Sequence, residues 1–225
     1  PLFVTEDACP FHCVYCNQRL QVGYPPACTE ATVHAAVADL ERRGWPRGRP
    51  VVLAFYGGTF TSLPAARQTA LLSAARAHLG PGRVAAVRVS THPARIDDAS
   101  LARLRHFGVR TVELGIQSLD DAVLAAAGRA VDRKACLTAL RWVREAGFEL
   151  GAQLMPGLPG ASRGSDRETA ALLATTRPDL VRIYPTVVLR GTCLADLTTT
   201  GAYTPLSLEA AVARSADQVE ILEAA

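Results

Sequence analysis

The chain has 225 residues, 49% of them apolar and 20% charged, with 24 basic and 21 acidic side chains and a formal net charge of +3. That is the balance of one soluble domain able to bury a large core, and a charge so near neutral does not by itself demand nucleic acid. Six cysteines are too few for a secreted disulfide scaffold, no run approaches the roughly 20 apolar residues of a membrane span, and the opening PLFVTED lacks the layout of a signal peptide; a cytoplasmic chain without a membrane partner is expected.

PLFVT (1–5) reads as a first strand. Directly after it, CPFHCVYC places Cys9, Cys13 and Cys16 within eight residues, with no fourth cysteine close behind. Covalent pairs that short would be strained, so metal binding is the better reading. Three thiolates can hold three irons of a cubane and leave the fourth iron open to a small molecule. The alternative is a structural zinc knuckle closed by His12 or Cys28, although zinc ligands usually arrive as two separated pairs and these three share one loop.

Further on, Val33, Ala36, Val37 and Leu40 repeat at helical spacing behind Thr29, a candidate N-cap, with Glu30 in the first turn where an acid suits the helix dipole. VVLAFY (51–56) is a second strand and GGTF (57–60) ends it. A second helix starts near Pro64, carries Leu71, Leu72, Ala75 and Leu79, and stops at GPG (80–82). VAAVRVS (84–90), RTVELGI (110–116), FELGAQL (148–154) and LVRIY (180–184) read as strands. Helices are expected at about Asp98 to Phe107, Leu119 to Ala127, Arg133 to Ala146 and Ser165 to Thr176, and a last one from about Leu206.

Nearly all-apolar strands joined by helical crossovers argue for a parallel sheet covered by helices, and right-handed crossovers curve six such units into a partial (βα)6 TIM-like barrel. The chain is read as one domain, 1–225: a cysteine loop at 6–17, a barrel at 1–190, and a C-terminal extension and helix at 191–225. In such folds function gathers where strands end. After the successive strands come the cysteine loop, GGTF, STHP (90–93), Gln117 with Ser118, MPGLPG (155–160) and YPT (184–186), six loops that would share one rim. Lys134 is the only lysine; arginine suits phosphate and carboxylate, yet the run ERRGWPRGR (41–49) reads first as a solvated face and second as an RNA-facing edge.

The C-x3-C-x2-C spacing with Tyr15 before the last cysteine resembles the cluster loop of radical S-adenosylmethionine enzymes, and GGTF resembles their glycine motif. VELGIQS, MPGLPG and IYPTVVLRGT look most like the radical domain of the Elongator catalytic subunit, which modifies wobble uridine in tRNA; a weaker likeness is to oxygen-independent coproporphyrinogen oxidase. The resemblance implies a 4Fe–4S cluster on Cys9, Cys13 and Cys16. Its open iron would chelate S-adenosylmethionine, and an electron from a flavodoxin- or ferredoxin-type donor would split that cofactor to a 5′-deoxyadenosyl radical. It further implies cofactor contacts at Tyr15, Gly57, Gly58, Thr59, Ser90, Gln117, Arg129 and Gln153, with tRNA as a candidate partner; it names no catalytic acid, base or radical relay. Both relatives usually carry an acid where Ser90 stands, which puts ribose binding there in question. The acetyltransferase half of the Elongator subunit has no counterpart in this sequence.

Each of these residues has a plainer rival. Gln117 and Gln153 would satisfy backbone groups at strand ends, Arg129 would be a helix-end charge, Thr59 would cap a turn, and His92, before a proline, would be structural. Cys136 belongs to an apolar helix face, and Cys28 and Cys193 do not make a second cluster. The substrate alternatives are a small metabolite or a tetrapyrrole. A different class altogether is an RNA-binding barrel that keeps a cluster or metal for structure and never cleaves the cofactor.

Overall fold

The computed structural model describes residues 1–4, 9–18, 20, 23, 27–46 and 49–225. Six strands, β1 (Leu2–Val4), β2 (Val51–Gly57), β3 (Val84–Thr91), β4 (Val109–Gln117), β5 (Glu149–Leu154) and β6 (Leu180–Ile183), form one sheet in sequence order. Every pair is parallel. Parallel neighbours need crossovers, and the chain supplies them as helices: α1 (Glu30–Arg43), α2 (Ala65–Arg76), α3 (Asp98–His106), α4 (Asp121–Ala126), α5 (Arg133–Glu145) and α6 (Arg163–Ala174). Two more, α7 (Cys193–Thr199) and α8 (Leu208–Glu223), complete the C-terminal part.

The alternation of side chains along each strand divides the molecule into an apolar outside and a polar inside. Leu53, Phe55, Val87, Val89, Val112, Leu114, Leu150 and Ala152 pack outward into one core with Val33, Val37, Leu71, Leu72, Leu104, Leu140 and Leu173 of the helices. Leu104 and Leu140 are 0% exposed, and burial of such a side chain contributes about 2 kcal/mol. The opposite strand faces carry Tyr56, Arg88, Glu113, Gln153 and Arg182, and these meet one another. The Arg182 guanidinium lies 4.7 Å from the Tyr56 ring centre, although β2 and β6 are four strand spacings apart, about 19 Å in a flat sheet. The sheet is therefore curled, with β1 and β6 as its open edges among the described residues.

Caps fix where the helices begin. Thr29 makes a capping box with Thr32, as does Asp97 with Ser100 and Ser162 with Ser165. The Ser162 cap starts α6 two residues ahead of the expected Ser165, and Asp120, accepting from the backbone N–H groups of Ala122 and Val123, holds α4 to Asp121–Ala126 instead of Leu119 to Ala127. Of the expected first strand, Leu2–Val4 is strand and Thr5 lies outside the described residues, as do residues 6–8 of the cysteine loop and residues 47 and 48 of the basic run. Helix α7 was not expected: its short, threonine-rich sequence carries little periodicity, and its start is set by the Thr192 side chain accepting from the Ala195 N–H. No helix among the described residues is long and apolar enough to cross a membrane.

Candidate functional site

The cysteine loop is held from two sides. Val14 N–H donates to the Ala127 carbonyl at the end of α4 (3.1 Å), and the Val14 carbonyl accepts from Leu194 N–H at the start of α7 (2.8 Å). Asn17 Nδ2 donates to the Gly191 carbonyl at 3.0 Å, so the C-terminal segment ties down the loop's far end. Gly128 packs where any Cβ would stand 3.1 Å from the His12 carbonyl oxygen, and its φ of +68° already favours glycine. Phe11, between the first two cysteines, stacks on His92 at 4.0 Å between ring centres.

Each cysteine sulfur accepts one side-chain hydrogen bond from a different part of the chain. Thr59 Oγ1 reaches Cys9 Sγ at 3.4 Å, Arg129 Nη1 reaches Cys13 Sγ at 3.6 Å, and Gln18 Nε2 reaches Cys16 Sγ at 3.4 Å. Arg129 also donates to the Tyr15 hydroxyl at 3.4 Å and to the Gly115 carbonyl. Burial, reinforced by the neighbouring Cys13, pushes the Cys16 thiol up to about 11, and burial likewise raises the Tyr15 phenol. Burial works against the charge on Arg129, but Tyr15 and Cys13 outweigh it and the guanidinium stays ionised. The Cys16 thiol is therefore protonated at neutral pH until an electropositive partner binds beside it.

All eleven residues singled out in the sequence line a single cavity of about 100 Å³ at the C-terminal ends of the strands: Cys9, Cys13, Tyr15, Cys16, Gly57, Gly58, Thr59, Ser90, Gln117, Arg129 and Gln153. Gln18, Thr91, His92 and Gly115 complete the lining. The cavity is smaller than the roughly 300–1,000 Å³ of ordinary ligand pockets, so a large ligand would have to use the adjoining barrel interior as well. Of the two side chains that could close a zinc site, Cys28 is buried in the main core with Val33 and Val37, and neither Cys28 nor His12 lines the cavity. Among the described residues no three His, Cys, Asp or Glu side chains are grouped as one metal ion would need.

The polar atoms of this cavity are incompletely paired. Gln117 Oε1, Arg129 Nε and His92 Nε2 are buried without a hydrogen-bond partner, where most buried polar atoms have one. Gln117 itself sits at φ +69°, a left-handed conformation that costs a non-glycine residue about 1 kcal/mol or more. Gly115 leaves the space its side chain needs: a Cβ there would stand 3.1 Å from Gln117 Nε2 and 3.8 Å from Arg129 Nη2. Strain, orphaned donors and an orphaned acceptor around one void fit a ligand with both acceptor and donor groups, such as an amino acid's carboxylate and ammonium.

Below this cavity the barrel interior is lined by charge and aromatic rings. Glu113, 0% exposed, accepts from Arg88, Gln153 and Arg182. Gln153 Nε2 also reaches Ser90 Oγ at 3.5 Å, which joins this network to the cavity lining. Arg182 lies over both Tyr56 (4.7 Å) and Tyr184 (5.2 Å). A Cβ at Gly151 would meet Glu113 at 3.1 Å, so glycine there admits the buried acid. The sequence reading passed over Arg88, Glu113 and Arg182, whose signal was a charge inside an otherwise apolar strand. It also passed over Gln18, which carries no motif signal. The plain readings hold for Cys136, buried in the core, but not for Arg129, which is buried against two cavity residues rather than exposed at a helix end.

The chain matches the family model of the Radical SAM superfamily over residues 4–173 and that of the Radical SAM C-terminal domain over residues 178–225. A tRNA uridine(34) acetyltransferase of Dehalococcoides mccartyi is 36% identical over 122 residues, 52% of this chain and 26% of that protein. Elongator complex protein 3 of Homo sapiens is 30% identical over 134 residues, 57% of this chain and 24% of that protein. The chain thus spans about a quarter of the curated relatives it matches. Among solved structures, the Elp3 protein of Methanocaldococcus infernus superposes with a TM-score of 0.73 at 22% identity, covering 96% of this chain and 53% of that one. Coproporphyrinogen III oxidase from Escherichia coli superposes with a TM-score of 0.69 at 20% identity, covering 99% of this chain and 52% of that one. Both likenesses are of fold.

Proposed function

The chain belongs to the Radical SAM superfamily, and from that premise we propose that it holds a 4Fe–4S cluster on Cys9, Cys13 and Cys16, cleaves S-adenosylmethionine reductively, and acts on a tRNA nucleobase. When bound, cluster and cofactor together supply a carbon radical able to take a hydrogen atom from an unactivated position. The observation that carries the reading is the convergence of three cysteines, a glycine turn and three orphaned polar side chains on one void. Cys9, Cys13 and Cys16, which line one cavity, would supply the thiolates that hold the cluster.

The chain's own groups have separable tasks in this reading. Gly57, at φ +101°, and Gly58 keep the strand end bare so that a ligand can approach the backbone. Arg129 offers a buried guanidinium to a carboxylate, Gln117 Oε1 an acceptor to an ammonium, and Ser90 with Gln153 a hydroxyl and an amide to a polar ring. Ser90 is a shorter reach than the acid expected from relatives; its register partner across β3 and β4 is a carboxylate, Glu113, already engaged by two arginines. An electron donor of flavodoxin or ferredoxin type, and a cytoplasmic location, follow from this chemistry as part of the proposal.

Support for a nucleobase comes from the relatives' names and from the barrel interior. Flat faces at Tyr56 and Tyr184, interleaved with guanidinium donors at Arg88 and Arg182, suit a base taken out of its stack. The acetyl-transfer part of the relatives' activity is not carried over. A small carboxylic acid is the second reading, favoured by two guanidinium groups facing one carboxylate in the same interior. The test is anaerobic reconstitution followed by dithionite and S-adenosylmethionine, with and without total tRNA, in wild-type and Arg182→Met protein. Release of 5′-deoxyadenosine stimulated severalfold by tRNA, and lost in the variant, is the expected result. Release indifferent to RNA would move the substrate to the small acid, and no release would remove the enzymatic reading.

A further inference from the structure

His92 opens the short turn Pro93–Arg95, and its Nδ1 accepts a hydrogen bond from Ala94 N–H at 3.1 Å. A ring nitrogen that accepts carries no proton, so in the neutral imidazole the proton is on Nε2. The ring is 3% exposed and clamped face to face by Phe11 of the cysteine loop, with Arg95 over the far ring of that pair at 5.5 Å. Nε2 is buried without a partner, and His92 lines the cavity beside Cys9, Cys13, Gly115 and Arg129. A buried N–H with nothing to donate to costs about 1–3 kcal/mol, and neither the stack on Phe11 nor the cap on Ala94 N–H uses it.

Burial, helped by the Arg129 and Arg95 charges, depresses the imidazole to about 3. The imidazole that lines the cavity is thus neutral, with its proton on the unpartnered Nε2 by the Ala94 hydrogen bond, and it lies near the permanent cation Arg129. A neutral donor beside a guanidinium complements a compact anion. Two such anions would share this void under the function proposed above, on which the present inference rests: the carboxylate of S-adenosylmethionine, and the sulfurs of the cluster.

We propose that His92 is a positioning residue of the cofactor cavity whose Nε2–H donates a hydrogen bond to an anionic acceptor bound there. Its stack on Phe11 ties the loop after β3 to the stretch between Cys9 and Cys13, so the donor's place is set by the fold.

Two variants test this on the reconstituted chain. His92→Phe keeps a flat ring against Phe11 and loses the donor; His92→Asn keeps an acceptor for Ala94 N–H and falls short of the cavity. Thermal unfolding confirms that each folds, and if the first does not, the second decides. The readouts are the midpoint potential of the cluster without S-adenosylmethionine and the dissociation constant of S-adenosylmethionine at the oxidised cluster. A lower potential in both variants assigns the acceptor to a cluster sulfur. An unmoved potential with roughly tenfold weaker cofactor binding, the worth of one charge-assisted hydrogen bond, assigns it to the carboxylate. Wild-type potential and affinity in both variants overturn the proposal. If the wild type takes up neither iron nor sulfide, the function it rests on fails first, a distinguishable outcome, and the proposal falls with it.

Discussion

Gln117 holds a backbone conformation that glycine would adopt without strain, and it carries a buried amide oxygen with no partner. Both are costs to the folded state, and a functional position is where a protein retains such costs. Gln117→Gly removes the strain and the orphaned oxygen together. The expected result is stability unchanged or raised by about 1 kcal/mol in denaturant unfolding, with weaker S-adenosylmethionine binding. A loss of 2 kcal/mol or more would mean that the side chain serves the fold. At this scale the sequence was informative where residue type is chemically restrictive. Cysteine spacing, paired glycines and the polar residues at strand ends were readable because few structural roles need them in those places. His92 read as structural, and it does cap the Ala94 N–H; its orphaned nitrogen was not legible because it exists only once Phe11 has been folded against it.

At the scale of elements, the C-terminal segment serves as a clamp on the site's loops. Asp166 of α6, 5% exposed, accepts from Gly157 N–H at 3.3 Å and from Arg214 of α8 at 3.0 Å. Burial raises its carboxyl, and Arg214 pulls it partly back. The Tyr203 hydroxyl donates to the Gly157 carbonyl at 2.7 Å, and Leu206 fills the space where a Cβ at Gly157 would stand, 2.5 Å away. The loop after β5 is thus fixed by Asp166 and by Tyr203 and Leu206, more than 40 residues downstream. Arg214→Met leaves Asp166 with one donor and should cost about 3 kcal/mol, while Asp166→Asn in that background restores most of it. A double-mutant cycle by urea unfolding checks this, and strict additivity would contradict it. The strands and the helices around the core were legible because hydrophobic periodicity records burial. Helix α7 was not, since its short threonine-rich run carries little periodicity; nor was the clamp, whose order comes from side-chain bonds between distant segments, which no local pattern encodes.

At the scale of the whole molecule, one sheet separates an apolar outside from a polar inside. An ordinary closed barrel fills its centre with branched aliphatic layers; this one places Arg88, Glu113 and Arg182 there between tyrosines. The outward faces supply the stability, which leaves the interior available for chemistry. The partial barrel and its rim of loops were legible from strand order. The interior network was not, because which face of an apolar strand turns inward is settled only when the sheet curls. All of the functional account depends on the cavity holding a cluster with one iron left for an outside ligand. Iron and sulfide analysis joined to EPR of the reduced, reconstituted protein, with and without S-adenosylmethionine, tests that most directly. About four irons and four sulfides per chain, with a spectrum that changes on adding S-adenosylmethionine and no cluster in Cys13→Ala protein, is the predicted result. A single zinc per chain, or a cluster whose spectrum S-adenosylmethionine leaves unchanged, would contradict it.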